Sequence, residues 1–362
     1  MTTGSLDKAA LPQALPSHTQ ASAPEPGEDM TTAGTFSPVP RRIVVCNGDA
    51  DGLCAAVQWR LHDPAPATLL TGLKHDIALL AKVHAQAGDE VDVFDVSMQR
   101  NEADLLRLLR AGVRIRYFDH HVVERIPAHP LLDAHIDCAS DVCTSLLVDR
   151  QLGGAFRAWA LVGAYGDNLS MAADRLSCAT NIDAGDCALL RRLGEAINYN
   201  AYGDDERDVL IAPRRLYDVM ARYPDPRDML AHEAIVDQID ALRRRDLRQA
   251  FATLPLCREP FASVHLLPDA PWSRRVLGCF ANELANAEPE RAHAVMKPQG
   301  PGYAVSVRAP LASPWGAHEL CREFGGGGRA RAAGIDGLAR EDLDRFVKAF
   351  TGKRWSEPPA GP

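Results

Sequence analysis

The chain has 362 residues, of which 46% are hydrophobic and 24% charged, and its net charge is -8. This length and composition predict a globular protein of two ordinary domains. They argue against a membrane-spanning protein, because no apolar run approaches the length of a bilayer. They also make long nucleic acid a less favoured partner, because proteins that track it usually carry a basic face.

The nine cysteines are scattered singly from Cys46 to Cys321, without a CxxC pair. This odd, dispersed set predicts reduced thiols and argues against a disulfide framework or a zinc-thiolate site. The N-terminus lacks the basic-then-apolar pattern of a secretion signal. We therefore expect a cytoplasmic protein without membrane association, and a homodimer is compatible with the sequence.

The first predicted segment, residues 1–40, is rich in Pro, Ala, Ser and Thr and has no hydrophobic periodicity. Such a segment buries too little apolar surface to offset its ordering entropy, so we predict a disordered tail. From Arg41 onward, strand and helix patterns alternate. The strands are predicted over residues 43–46, 68–73, 91–94 and 113–118, and the helices over 53–61, 77–84 and 103–110. This order predicts an α/β fold with a parallel sheet and helices on both faces.

Helical patterns dominate the next part of the chain, over residues 142–153, 156–166, 184–198 and 226–250. A smaller α/β unit follows, with a helix over 273–287, a hairpin of strands 292–297 and 303–308, and a last helix over 340–351. The predicted division is a catalytic domain over 41–200, a helical connector over 201–255, a second α/β domain over 256–352 and a flexible end over 353–362.

Polar side chains follow three of the predicted strands at their carboxyl ends: Asp49 with Asp51, then Asp95, then Asp119-His120-His121. Ligands of an open parallel sheet bind at this edge. Asp167, at the end of the predicted helix 156–166, could join them. Each Asp taken alone is explained as a helix cap, but converging carboxylates repel one another unless cations lie between them. Carboxylates with imidazoles suit Mn, Mg or Fe ions, and two such ions can polarise a phosphoryl oxygen and ionise an attacking water.

A run of four glycines, Gly325–Gly328, precedes Arg329 in the second domain. Its backbone N–H groups could approach a phosphate without obstruction, or the run could be a flexible linker. The nearby arginines and small residues favour a substrate-binding loop. The predicted substrate-binding residues are Gly326, Gly327, Gly328, Arg329 and, on the hairpin, Arg308.

These motifs resemble, in order, those of the DHH phosphoesterase superfamily. The resemblance rests on Asp49-Ala50-Asp51-Gly52, Asp95, Asp119-His120-His121 and Gly166-Asp167-Asn168, while the glycine run with Arg329 and Ala332-Ala333-Gly334 is similar to the signature of a C-terminal DHHA1 domain. It covers about residues 42–350. It implies a manganese-dependent phosphoesterase, related to RecJ-type exonucleases, nanoRNases, cyclic-dinucleotide phosphodiesterases and exopolyphosphatases.

The resemblance also implies roles for individual residues. Asp49 would bind one metal ion, Asp51 the other, and Asp95 both. His120 and Asp167 would complete the second ion. His121 would contact the phosphate or a leaving oxygen, and Asp119 would orient a ligand. The catalytic set is thus His121, Asp119 and Asp95, and the cofactor is two Mn²⁺ ions, with Mg²⁺ as the alternative.

Two positions depart from the family pattern. Many members have a metal-binding His where this chain has Val45, so Asn47 or a water could fill the gap at the first ion. Many also have His in the glycine-rich motif where this chain has Arg329, which grips phosphate through paired hydrogen bonds. We expect Arg329 to hold a phosphate away from the metals. At the same sheet edge, we interpret Asp76 as a helix cap. Lys74 or His75 could contact the substrate instead.

The predicted function is hydrolysis of a phosphodiester or a terminal phosphate on a small nucleotide or short oligonucleotide. A RecJ-like single-strand exonuclease is an alternative, which should show a basic groove with stacking aromatics. An exopolyphosphatase is another, because anhydrides and esters use the same metals. A non-catalytic phosphate-ligand sensor is the third, and Val45 is the hint for it.

Overall fold

The computed structural model describes residues 40–355. Its first sheet has five strands in the order β2-β1-β3-β4-β5, and every neighbouring pair is parallel. The strands are β1 Arg42–Cys46, β2 Thr68–Thr71, β3 Glu90–Phe94, β4 Arg114–Asp119 and β5 Leu132–Ile136. Chain order and spatial order differ at β1, which lies between β2 and β3. The carboxyl ends of β1, β3 and β4 therefore meet at one edge.

Helices cover both faces of this sheet, as predicted. Alternate strand residues face two separate apolar cores, because successive side chains of a strand point to opposite faces. Val44 and Cys46 pack toward helices α1 Ala50–His62, α3 Thr144–Gln151, α4 Arg157–Gly166 and α6 Ala184–Asn200. Ile43 and Val45 pack toward α2 Glu102–Arg110 and a 3₁₀ turn, Leu79–Lys82. The α/β architecture is confirmed.

Two predicted helices differ in detail. Residues 77–84 form only the 3₁₀ turn, because the Asn101 side chain takes over local backbone groups: it donates to the carbonyl of Ile77 at 2.7 Å and accepts from the N–H of Leu80 at 3.2 Å. The predicted helix 226–250 is two helices, α8 Pro226–His232 and α9 Ala234–Phe251, which meet at an extended Glu233. Its carboxylate accepts from Arg222 and Tyr223, which holds the chain at that point.

Three elements of this region were not predicted: strand β5 and helices α5 Ser170–Ala179 and α7 Pro213–Met220. β5 lies at the edge of the sheet and reads Leu-Asp-Ala-His-Ile, so its polar residues hid the strand pattern.

The second sheet has six strands in the order β10-β11-β9-β8-β7-β6. Its strands are β6 Cys257–Glu259, β7 Ala262–Leu266, β8 Ala292–Gln299, β9 Gly302–Arg308, β10 Gly327–Gly328 and β11 Ala332–Ala339. The predicted hairpin is confirmed as the antiparallel pair β8 and β9, which turns at Gly300 with a φ of 54°. The helices of this part are α10 Pro271–Ala287, α11 Ala317–Arg322 and α12 Leu343–Gly352, and α12 is the predicted last helix.

The predicted tail lies outside the described residues except for Pro40, and so does the predicted flexible end beyond residue 355. The predicted domain bounds at residues 200 and 255 stay predictions. Among residues 40–355, no helix combines the length and apolar character that crossing a bilayer requires.

Candidate metal centre and adjoining cleft

The predicted acidic and imidazole residues meet at the carboxyl edge of the first sheet. β1 leads into Asp49 and Asp51, β3 into Asp95, and β4 into Asp119 and His120. All five are buried, with no more than 3% of any of them exposed. Buried carboxylates at such density need cations or hydrogen-bond donors to remain ionised.

The donor atoms of Asp95, His120 and His121 lie within 4.8 Å of one another and could hold one metal ion. Nε2 of His120 is 3.2 Å from Oδ1 of Asp95 and 3.8 Å from Oδ2 of Asp51. Nδ1 of His120 lies 2.8 Å from the carbonyl of Val142, to which it donates. The proton is therefore on Nδ1, and the Nε2 lone pair is free to face a metal. These residues fit a divalent ion.

Asp95 sits in an unusual backbone conformation, with a φ of 56° in the left-handed region. Its N–H donates to the carbonyl of Phe118 at 3.0 Å, which anchors it to the end of β4. Burial, together with the charges of Asp49 and Asp51, raises the pKa of Asp95 well above its ordinary value. A cation beside this carboxylate would reverse that effect, so the geometry favours a bound ion at Asp95.

Asp119 holds His121. Its Oδ1 is 2.6 Å from Nδ1 of His121 and also accepts from the N–H of His120 at 2.9 Å, while its Oδ2 accepts from the N–H of Met98 at 3.2 Å. Burial opposes ionisation of Asp119, but the His121 charge outweighs it and lowers the pKa of Asp119. Burial likewise disfavours charge on His121, but Asp119 outweighs it and raises the pKa of His121. Asp119 is thus placed to orient His121, whose side chain is 36% exposed.

Asp49 and Asp51 have different partners. Asp49 caps helix α1, accepting from the N–H of Gly52 at 3.1 Å, and forms an ion pair with Lys74. Burial disfavours the Asp49 charge, but Lys74 lowers the pKa of Asp49 overall. Both oxygens of Asp51 accept from the start of helix α3, at 2.8 Å from the N–H of Thr144 and 2.7 Å from that of Ser145.

The structure places Arg329 on Asp167, a predicted metal ligand, whereas the sequence analysis expected Arg329 to act away from the metals. Two nitrogens of the guanidinium donate to the two carboxylate oxygens at 2.9 Å each. Burial disfavours the Asp167 charge, but the guanidinium lowers the pKa of Asp167 well below its usual range. Arg329 also lies 3.2 Å from Nδ1 of His120, which cannot accept while it donates to Val142. Arg329 is therefore part of the centre.

Neither Val45, which stands where the family has a histidine, nor Asn47, the side chain proposed to fill the gap, offers a free ligand atom to the first ion. Val45 is fully buried in the apolar core on the α2 side of the sheet. Oδ1 of Asn47 accepts from the N–H of Asp49 at 3.1 Å, so it is occupied within the loop. Asp76 is not a helix cap: it closes a turn by accepting from the N–H of Leu73 at 2.8 Å.

A cleft of about 580 Å³ adjoins the centre through Asp167 and Arg329. Its walls come from α4, α6, α10, β8, β9 and β11, so it lies between the two sheets. Six of its lining residues are cationic and three acidic: Lys74, Arg274, Lys297, Arg308, Arg329 and Arg331, against Asp167, Asp204 and Asp336. The cleft is positive in a protein of net charge -8. Arg331 is a wall residue that was left out of the predicted site, and Lys74, given only as an alternative substrate contact, is another.

The predicted glycines do not line this cleft. Gly326 donates to the carbonyl of Cys321 at 2.8 Å and so ends helix α11, while Gly327 and Gly328 form β10 beside β11. A Cβ on Gly326 would lie 2.2 Å from the carbonyl oxygen of Gly334. Glycine is required here for close backbone approach, which sets Arg329 at the centre. Contact of these N–H groups with a phosphate stays a prediction.

Comparison with known proteins agrees with this geometry. A family model described as the DHHA1 domain matches residues 260–353. The fold resembles that of exonuclease RecJ bound to manganese, with a TM-score of 0.53 at 20% identity over 87% of this chain and 90% of that one. The C-terminal part of the chain thus matches the DHHA1 domain, and the fold as a whole is similar to that of RecJ.

Two further structures have a similar fold. RecJ from Thermus thermophilus, in complex with Mn²⁺, has a TM-score of 0.57 at 20% identity, over 88% of this chain and 53% of that one. The pGpG-specific phosphodiesterase PggH from Vibrio cholerae has a TM-score of 0.50 at 17% identity, over 85% of this chain and 97% of that one. No curated protein sequence matches the chain.

Proposed function

We propose that this DHH-type protein hydrolyses a phosphodiester or terminal phosphate on a small nucleotide or short oligonucleotide. The observation that carries the proposal is the positive cleft beside the carboxylate and imidazole centre. A divalent ion, Mn²⁺ by preference, would be held by Asp95, His120 and His121, with Asp51 beside them. When bound, such an ion polarises a phosphoryl oxygen and lowers the pKa of an attacking water.

Two arginines of the cleft support an anionic ligand because their partners are neutral. Nε of Arg308 donates to Oδ1 of Asn282 at 2.7 Å, and Nη1 to Oγ of Ser306 at 2.9 Å. Nη2 of Arg331 donates to the carbonyl of Asn168 at 2.7 Å. Within residues 40–355 neither guanidinium is paired with a carboxylate. Burial lowers the pKa of both, so an incoming phosphate would relieve the cost of holding these charges in the wall.

His121 is placed to donate a proton to the leaving oxygen. Its Nδ1 is held by Asp119, so Nε2 points away from that bond and is left for a ligand. A raised pKa keeps His121 protonated more readily at neutral pH, which suits a donor to a phosphate oxygen or to the departing ester oxygen. His121 can fill this role or ligate the ion, and Asp119 fixes its orientation for either.

The size of the cleft favours a small substrate. A volume of about 580 Å³ lies in the range of small-ligand pockets, and Tyr202 is its single lining aromatic among the described residues. A long single strand would need a basic track with several stacking rings. The name of the PggH enzyme, with a dinucleotide as its substrate, is consistent with this choice, whereas that of RecJ favours the exonuclease alternative.

The test is a substrate panel with purified protein and Mn²⁺: pGpG, pAp, a cyclic dinucleotide, polyphosphate and single-stranded DNA. We expect turnover of a linear dinucleotide or pAp to exceed that of DNA by at least tenfold in kcat/KM. Asp95→Asn should be inactive. Asp133→Asn, an acid of the same sheet whose side chain is 60% exposed, is the matched control and should be active.

Each other outcome selects a different function. Faster digestion of long DNA would overturn the proposal in favour of an exonuclease, and release of phosphate from polyphosphate alone would favour an exopolyphosphatase. Binding of a nucleotide without turnover at any Mn²⁺ concentration would identify a sensor.

A further inference from the structure

We propose that this centre works with one divalent ion and that the Lys74 ammonium takes the place of the second cation beside Asp49. The inference rests on the proposed function, since it concerns the same centre. It differs from the two-ion expectation that the family resemblance implied. Lys74 would then be the second positive charge at the reacting phosphate, because it also lines the cleft.

Lys74 is held in a site built for an ammonium. Nζ pairs with Asp49, lies 3.3 Å from Oδ1 of Asn198 and sits 5.5 Å from the centre of the Tyr202 ring. A carboxylate, an amide oxygen and an aromatic face together match the three N–H groups of an ammonium. These three partners come from the loop after β1, from α6 and from the segment after α6.

The backbone of Lys74 is fixed as well. Its N–H donates to the carbonyl of Ala201 at 3.0 Å, and the Asp76 carboxylate closes the turn in which it lies. The Lys74 side chain is 29% exposed, so water reaches part of it, whereas that of Asp49 is 4% exposed. Lys74 is therefore a wall residue of the cleft and not a surface lysine that happens to touch an acid.

The alternative ligands for an ion at Asp49 do not fit. The position of the family's metal-binding His is Val45, which is enclosed in the apolar core, and Oδ1 of Asn47 is occupied by the N–H of Asp49. A divalent ion at Asp49 would have to displace the ammonium without an imidazole at position 45 or a free Asn47 oxygen to hold it. The observed donors favour the ammonium.

The charge balance of the centre leads to the same conclusion. Asp49 is paired with Lys74, and Asp167 with Arg329. Among the described residues, Asp51 and Asp95 contact no lysine or arginine, and their basic neighbours are the imidazoles of His120 and, for Asp95, also of His121. A single divalent ion would therefore serve Asp51 and Asp95, whereas Asp49 and Asp167 already have a cationic side chain as partner.

The deciding measurement is the number and coupling of bound Mn²⁺ ions. We expect calorimetry and metal analysis to give one ion per chain, and electron paramagnetic resonance to show the hyperfine pattern of an isolated ion. Two ions with an exchange-coupled spectrum in the wild-type protein would overturn the inference.

Variants test whether the ammonium excludes the second ion. Lys74→Ala should bind a second Mn²⁺ at Asp49, with a coupled spectrum at millimolar metal. Lys82→Ala is the matched control: Lys82 is 56% exposed on the same segment, and its variant should still bind one ion. A stoichiometry that stays at one in a folded Lys74→Ala protein would contradict the exclusion.

Activity separates this inference from the proposed function. A wild-type protein that binds one ion but hydrolyses no phosphate ester would refute the proposed function and still support the one-ion inference. A wild-type protein that hydrolyses a dinucleotide with two coupled ions would support the proposed function and refute the one-ion inference. Lys74→Ala should also lower kcat on the natural substrate at least tenfold at low Mn²⁺, because a charge at the phosphate is lost.

Discussion

Replacing Arg329 with alanine removes the bond between the DHHA1 domain and the metal centre. The guanidinium makes two charge-assisted hydrogen bonds of 2.9 Å to Asp167, whose side chain is 8% exposed, while that of Arg329 is 27% exposed. Loss of one partner leaves Asp167 as a nearly buried charge without its cation. The proximity to His120 places this loss beside the expected ion.

The size of the effect follows from the geometry. Charge-assisted hydrogen bonds contribute about 1.5–3 kcal/mol each, and the partial exposure of Arg329 places the joint loss near the lower end, at about 3 kcal/mol. About 3 kcal/mol in transition-state stabilisation is roughly a hundredfold in kcat/KM, since each 1.36 kcal/mol is tenfold. Arg329→Lys keeps the charge but not the paired geometry, so it should recover only part of the activity.

The assay compares a dinucleotide with a short artificial ester, bis-p-nitrophenyl phosphate. Because Arg329 lies at the centre, Arg329→Ala should reduce kcat/KM for both substrates by similar factors, in protein whose circular dichroism is unchanged. Arg340→Ala, an exposed arginine of the same domain that donates to the carbonyl of Pro301, is the control and should match the wild type. Normal turnover of the short ester by Arg329→Ala would refute this reasoning and return Arg329 to a remote phosphate-holding role.

Three further predictions concern the ion, the glycine run and the pH dependence. Asp95→Asn should abolish both hydrolysis and Mn²⁺ binding by calorimetry, whereas Asp133→Asn should retain both; Mn²⁺ bound normally by Asp95→Asn would contradict the site. Gly326→Ala should lower the free energy of unfolding in denaturant titrations by about 1–3 kcal/mol, because its added Cβ would overlap the backbone, and it should raise KM. Gly337→Ala is the control, since an added Cβ there meets nothing within 4 Å, and it should change the free energy of unfolding by less than about 0.5 kcal/mol. Burial lowers the pKa of His293 to about 4, so the unfolded chain takes up a proton first and stability should fall by up to about 3 kcal/mol as the pH drops from about 6.5 to about 4. His293→Gln should lack this loss, and an equal loss in the variant would assign the effect to other groups.

The sequence was sufficient to predict which acidic and imidazole residues lie at the ends of the strands. Asp49, Asp51, Asp95 and His120 each follow a buried apolar run, and parallel topology then places them at one edge. The basic residues that pair with the acids of the site could not be predicted from strand ends and topology. Arg329 and Asp167 are 162 residues apart, and only the packing of the two domains brings them together. The role of Lys74 likewise depends on a turn and on α6.

The secondary structure shows the same division. Long periodic segments such as α10 and the β8–β9 hairpin were predicted, because their local pattern already specifies them. β5 was missed because Asp133 and His135 alternate with its apolar residues, so this edge strand lacks the apolar run of a buried strand. The break at Glu233 depends on Arg222 and Tyr223, which lie earlier in the chain and contact its carboxylate. Local pattern carries no information about such contacts.

The left-handed backbone at Asp95 makes activity and thermal resistance compete at one position. Glycine adopts a φ of 56° without the steric cost that a side chain incurs, on the order of 1 kcal/mol, and it would also remove a buried carboxylate crowded by Asp49 and Asp51. Asp95→Gly should therefore melt at a higher temperature while being catalytically dead. A laboratory selection for heat tolerance alone would enrich inactive chains at this position, so such a selection has to be coupled to turnover from its first round.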